Sequence, residues 1–110
     1  MAMTPEKKVK QKVAKLLKEA GAYYFFPATG GYGRSGVPDI VGCFKGNFFG
    51  IECKAGKNTT TALQELELEK IKKSGGRAIV INEERIEMFK NELLDPEKFT
   101  YLGGMIRPED

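Results

Sequence analysis

Two short apolar runs around a lysine-glycine-asparagine turn constrain this chain more than any other feature: VPDIVGCFKGNFFGIECK, residues 37–54. β-Branched and aromatic residues on either side of a glycine-containing turn read as a hairpin, with strands over 39–44 and 48–54. With Gly46 and Asn47 as the turn residues, Asp39 falls opposite Lys54 and Val41 opposite Glu52. Paired residues share a face, and faces alternate along each strand. Asp39, Glu52 and Lys54 are therefore expected on one side of the sheet, at the hairpin's open end. A register slip of one residue would send Asp39 to the other face.

Around this hairpin the pattern predicts helices packed on a mixed sheet. Thr4-Pro5 is a helix start, Val9, Val13, Leu16, Leu17 and Ala20 recur at helical spacing, and Gly21 is a stop. The aromatic run 22–26 reads as a strand ended by Pro27, and ATGGYGRSG (28–36) as an irregular loop. A second helix is expected over 62–73, capped by the threonines before it, with Leu63, Leu66 and Ile71 toward a core. RAIVI (77–81) reads as a strand buried on both faces, and 83–94 as a helix carrying Ile86, Phe89 and Leu93. Residues 99–106, FTYLGGMI, are apolar enough to dock on the core or on a second subunit. The expected product is one α/β domain over 1–110, with its core over about 4–94 and a docking tail over 95–110.

The 110 residues include no histidine, which removes Ser-His-Asp and Cys-His nucleophiles, HExxH zinc sites and a histidine base together. Cys43 and Cys53 form no CxxC pair, so a structural zinc site is not expected. No apolar run approaches the length of a membrane helix, and a soluble, unexported protein is expected. The net charge of +3 permits nucleic-acid binding without requiring it. Lys7, Lys8, Lys10, Lys12, Lys15 and Lys18 on the first helix form a basic surface, suited to phosphates or simply to water.

Gly31, Gly33 and Gly36 spell GxGxxG, but a strand follows where a dinucleotide site needs a helix, so no nucleotide cofactor is expected. The loop can instead approach DNA backbone, with Arg34 offered to a phosphate, or be an ordinary surface loop. The hairpin charges likewise admit two readings. An edge salt bridge would contribute at most about 1 kcal/mol. Yet unpaired carboxylates beside Ile40, Val41, Ile51 and Cys53 would be costly, and a divalent cation between Asp39 and Glu52 relieves that cost. Carboxylate oxygens suit Mg²⁺ or Mn²⁺, and Lys54 beside the ion could orient a water or stabilise charge on a phosphate.

Pro38-Asp39 followed by Glu52-Cys53-Lys54 resembles the PD-(D/E)XK signature of metal-dependent nucleases. GRSGVPDIVG, GIECKAGKNTTTALQ and GGRAIVI in order are similar to the virus-type replication-repair nuclease (VRR-Nuc) domain over about 33–81. The resemblance implies an αβββαβ restriction-endonuclease-like core, here with an extra C-terminal helix. It also implies Asp39, Glu52 and the backbone carbonyl of Cys53 as metal ligands, with Lys54 at the attacking water and Gln64 beside the site. Glu6 occupies the place of a first-helix acidic residue common in the superfamily, or is an ordinary first-turn glutamate. Lys57 joins Arg34, Lys7 and Lys8 as a candidate phosphate contact.

The implied activity is a Mg²⁺- or Mn²⁺-dependent DNA endonuclease, structure-selective for branched or four-way junction DNA. A homodimer in the cytoplasm of a bacterial or phage-infected cell is expected. A nuclease of the same superfamily with a restriction or repair target, and a non-catalytic DNA-binding module, are the alternatives.

Overall fold

Thr4 begins the first helix as the sequence predicts: its hydroxyl accepts the Lys7 N–H at 3.2 Å, and Pro5 occupies the first turn. This helix, α1 (Pro5–Ala20), ends at Gly21, whose φ of 80° lets its N–H turn back onto the Leu17 and Lys18 carbonyls. Val9, Val13, Ala14 and Leu17 are buried, while Lys7, Lys8, Lys12, Lys15 and Lys18 face outward. Lys10 leans over the Phe26 ring, 4.7 Å from its centre. The computed structural model describes residues 3–28, 35–95, 97 and 105–108.

The strands β1 (Tyr23–Phe25), β2 (Ile40–Phe44), β3 (Asn47–Cys53), β4 (Arg77–Ile81) and β5 (Met105–Ile106) form one sheet in that order. β2 pairs antiparallel with both β1 and β3, and β3, β4 and β5 run parallel, so the sheet is mixed. Helices α2 (Ala62–Lys73) and α3 (Ile86–Leu94) complete the α/β domain. α1 and α3 bury their apolar residues against Ile40, Phe49, Ile51, Cys53, Ile79 and Ile81 on one face. α2 covers the opposite face, where Leu68 and Ile71 pack on Ala78, Val80 and Met105. The architecture is consistent with the restriction-endonuclease-like fold.

Four details depart from the sequence reading. The hairpin turns on Lys45 and Gly46, not on Gly46 and Asn47: Phe44 pairs with Asn47 and Ile40 with Ile51. Both turn residues have positive φ, 50° and 84°, as a type I′ turn demands, and glycine takes the second position. The Asn47 side chain donates to the Lys45 carbonyl at 3.2 Å and steadies it. Secondly, Leu63 and Leu66 do not face the core; they are 52% and 58% exposed, and Leu68 is the buried leucine of α2. Thirdly, α3 starts at Ile86, after a turn over 83–85. Fourthly, Met105–Ile106 adds a fifth strand, which docks that part of the tail on its own sheet with Ile106 buried. Residues 99–104 of the tail lie outside the described residues.

Candidate active site

The corrected turn moves the hairpin register by two residues, which leaves every face unchanged. Continued one residue past Ile40, it sets Asp39 opposite Glu52, with both on the α2 side of the sheet. Asp39 precedes β2 in a bend. Its Oδ2 accepts the Cys53 N–H at 2.8 Å. The next residue's N–H, that of Lys54, points the other way and donates to the Ile81 carbonyl at 2.9 Å on β4. The Asp39 carboxylate thus takes the place of a backbone acceptor where the β2–β3 ladder stops. In extended chain the Cys53 carbonyl leaves on the same side as its N–H, toward Asp39.

Glu52 is 3% exposed. Its Oε1 accepts from Gln64 Nε2 at 3.0 Å, whereas Oε2 is buried and, among the described residues, receives no hydrogen bond from a donor. Burial pushes its carboxyl up to about 8. The negative charge of Asp39 and the hydrogen bond that protonated Glu52 makes to Asp39 add to the rise. Lys54 opposes it, and Glu6 adds a small further push upward. A carboxylate held without a partner for one oxygen, next to a second carboxylate, is an arrangement that a cation stabilises.

Gln64 reaches Glu52 because of how α2 begins. Thr61 Oγ1 accepts the Gln64 N–H at 3.2 Å, and Gln64 Oε1 accepts the Thr61 N–H at 2.9 Å. This is a capping box. With its oxygen engaged at the cap, the carboxamide has only its NH₂ to offer, and that group points at Glu52. The preceding loop supports the same turn from outside. Gly36 has φ of 84°, and a Cβ there would lie 2.6 Å from the Leu63 carbonyl carbon and oxygen. Only glycine lets the approach to Pro38-Asp39 lie directly on the first turn of α2.

Lys54, 8% exposed, has its ammonium 3.8 Å from Glu6 Oε1. Glu6 therefore reaches the site from the N-terminal turn of α1 and meets the lysine. Among the described residues, no three or more acidic, thiol or imidazole side chains gather to hold a metal ion. A cation would rest on Asp39, Glu52 and main-chain oxygen. That set fits a hard divalent ion: both side chains supply carboxylate oxygens, and among the described residues no donor reaches Glu52 Oε2. The Cys53 thiol is buried among apolar neighbours, and burial pushes it up and out of the reactive range.

Lys7 and Lys8 project from α1 beside Glu6, and Lys57 lies exposed in the loop after β3, so all three are solvent-facing. Arg34, with Gly31 and Gly33, lies outside the described residues. The sequence reading did not single out Thr61 as Gln64's partner, although T-x-x-Q before a helix is the capping-box pattern. Nor did it bring Glu65, Thr60 and Arg107 near the site, for which no local signal exists.

A model of the archaeal Holliday junction resolvase (Hjc) family matches residues 6–100. The chain belongs to that family. The family is part of the PD-(D/E)XK-like nuclease superfamily, and its match spans both carboxylates, Lys54 and Gln64. Resolvases of this family are nucleases that act on Holliday junction DNA, and they generally use divalent metals. Comparison with curated proteins found no match.

Proposed function

We propose that this resolvase-family chain is a Mg²⁺- or Mn²⁺-dependent endonuclease that cuts four-way DNA junctions as a homodimer. The observation that carries the metal-dependent part is Glu52: buried, one oxygen with no donor among the described residues, beside Asp39 at the end of β3. Asp39, Glu52 and the Cys53 carbonyl would hold the ion. When bound, the divalent ion supplies Lewis acidity toward the scissile phosphate and a water of lowered pKa.

The chain's own groups do the rest. Gln64 fixes the Glu52 carboxylate, leaving Oε2 directed into the site. Lys54 orients the attacking water and offers positive charge to the phosphate, and Glu6 holds the lysine in place. No residue forms a covalent link to DNA, so hydrolysis is a single displacement. Lys7, Lys8, Lys57 and Arg34 are assigned to backbone phosphates. The glycine-rich approach to Pro38-Asp39 and the helix-opening Gln64 are the features shared with VRR-Nuc domains, and they support the same roles.

Incubation with a labelled four-way junction and with linear duplex, in Mg²⁺, Mn²⁺ or EDTA, tests the reading. Junction cleavage is expected with either metal and none in EDTA. Absence of metal-dependent cutting of any DNA would leave a binding module, and equal cutting of both substrates would remove junction selectivity alone. Lys54→Ala should abolish cleavage while junction binding, followed by gel shift, persists. Continued cutting would refute its role at the water.

A further inference from the structure

Among the described residues, the first turn of α2 has no buried apolar side chain. Ala62 and Leu63 are exposed, and the helix's buried residues are Glu67 and Leu68, a turn further on. The segment that carries Gln64 is therefore held by polar contacts and by the close approach of Gly36. One of these contacts comes from the far end of the chain. Arg107 Nη2 lies 2.8 Å from Glu65 Oε2, and the other oxygen of Glu65 accepts from Thr60 Oγ1 at 2.8 Å. Glu65 thus bridges the loop before α2 to the residue just after β5.

Arg107 is itself fixed. β5 pairs with β4 immediately before it, and the buried Arg85 donates from Nε to the Arg107 carbonyl at 3.3 Å. Arg85 is in turn paired with the buried Glu92. Because β5 runs parallel to β3 and β4, Arg107 emerges at the same sheet end as Glu52 and Lys54. Alternation along β5 puts it on the face of Met105, which is the α2 face. Its guanidinium holds the Glu65 carboxyl below the usual carboxylate range.

We infer that Arg107, beyond the residues matched by the family model, is a positioning residue for the nuclease site. It braces the Thr60–Glu65 segment through Glu65 and thereby keeps the Gln64 carboxamide on Glu52. The inference rests on the nuclease reading for its catalytic consequence only. The pair is partly exposed, so its contribution to global stability is small. Its effect is local to the turn that orients a ligand-holding carboxylate. Groups that orient metal-binding side chains from outside commonly change metal affinity or activity by about 10–100-fold when removed.

Arg107→Met keeps the aliphatic stem and removes the guanidinium, and Arg107→Lys restores the charge. Hydrogen exchange by NMR on the full chain is the primary measurement. The Gln64 backbone amide and carboxamide are expected to exchange about tenfold faster in Arg107→Met, with Ile51 and Ile79 amides unchanged and Arg107→Lys partly restored. Cleavage of the junction should fall about tenfold in kcat with KM retained. That loss should vanish when Arg107→Met is made in a Gln64→Ala background. Unchanged exchange at Gln64, or an equal loss of kcat in both backgrounds, would overturn the inference. If the parent chain cuts no DNA, the nuclease reading falls, and the exchange result still decides whether Arg107 positions Gln64.

Discussion

Glu52 carries an electrostatic load that the proposed metal site would relieve. Its ordinary value of 4.5 rises to about 8 in the folded chain. Between those two values the folded state holds a proton that the unfolded state has released. Stability therefore falls as pH rises through that window and is unaffected by this group below it. Glu52→Gln keeps an acceptor for the Gln64 carboxamide and removes the charge. In EDTA the variant should gain on the order of 2 kcal/mol over the parent near pH 8 and nothing near pH 4, read from thermal unfolding. Mg²⁺ should raise the parent's melting temperature at pH 8 and leave the variant's unchanged. A variant no more stable than the parent at pH 8 would mean that Glu52 is not a strained carboxylate.

At the scale of elements, the site depends on the first turn of α2 being pressed against the loop that carries Asp39. Gly36→Ala tests this, since alanine at φ of 84° is strained and its Cβ would sit 2.6 Å from Leu63 backbone atoms. The loop or the helix must give, at a cost on the order of 2 kcal/mol. A lower urea midpoint and slower junction cleavage are expected. A fully active, equally stable variant would show that the loop does not set the helix. The sheet-end charges were legible because strand parity is robust: moving the turn to Lys45-Gly46 shifts pairing by two and preserves the face. α2 was not, because two stripes compete along it. Leu63 and Leu66 form the more hydrophobic one, yet Gln64, Leu68 and Ile71 face the sheet. The buried stripe carries a polar residue at its start, where Gln64 reaches Glu52, and that weakens the hydrophobic signal. β5 was missed for a different reason: a two-residue strand has no periodicity to read, and only pairing with β4 defines it.

Over the whole molecule, the side of the sheet covered by α2 is only partly covered. α2 lies over β3 and β4 and, among the described residues, leaves β1 and β2 open beside a cleft of about 660 Å³ lined by Phe25, Pro27, Val41, Phe48 and Ile71, with Glu67 and Lys70 on its helix side. Phe25 and Phe48 are about half exposed, and Leu63 and Leu66 are exposed on α2. Exposed apolar side chains around such a cleft are suited to protein contact, and a second copy of the chain is the occupant that the proposed paired incision requires. Light scattering at micromolar concentration should therefore give twice the chain mass of 12.2 kDa. Phe25→Lys with Leu66→Lys places positive charge on the exposed apolar side chains of the sheet and of α2, which a two-fold contact through this face would bring together. It should yield a folded monomer, because neither side chain belongs to the buried core. That monomer retains Asp39, Glu52 and Lys54 but presents one site at a time. It is expected to nick a junction on one strand and to lose the paired cuts that release two linear duplexes. A parent chain that scatters as a monomer would refute the pairing, and a double variant that still dimerises would place the contact elsewhere. Coupled incision with a monomeric variant would show that junction cleavage does not depend on pairing through this face.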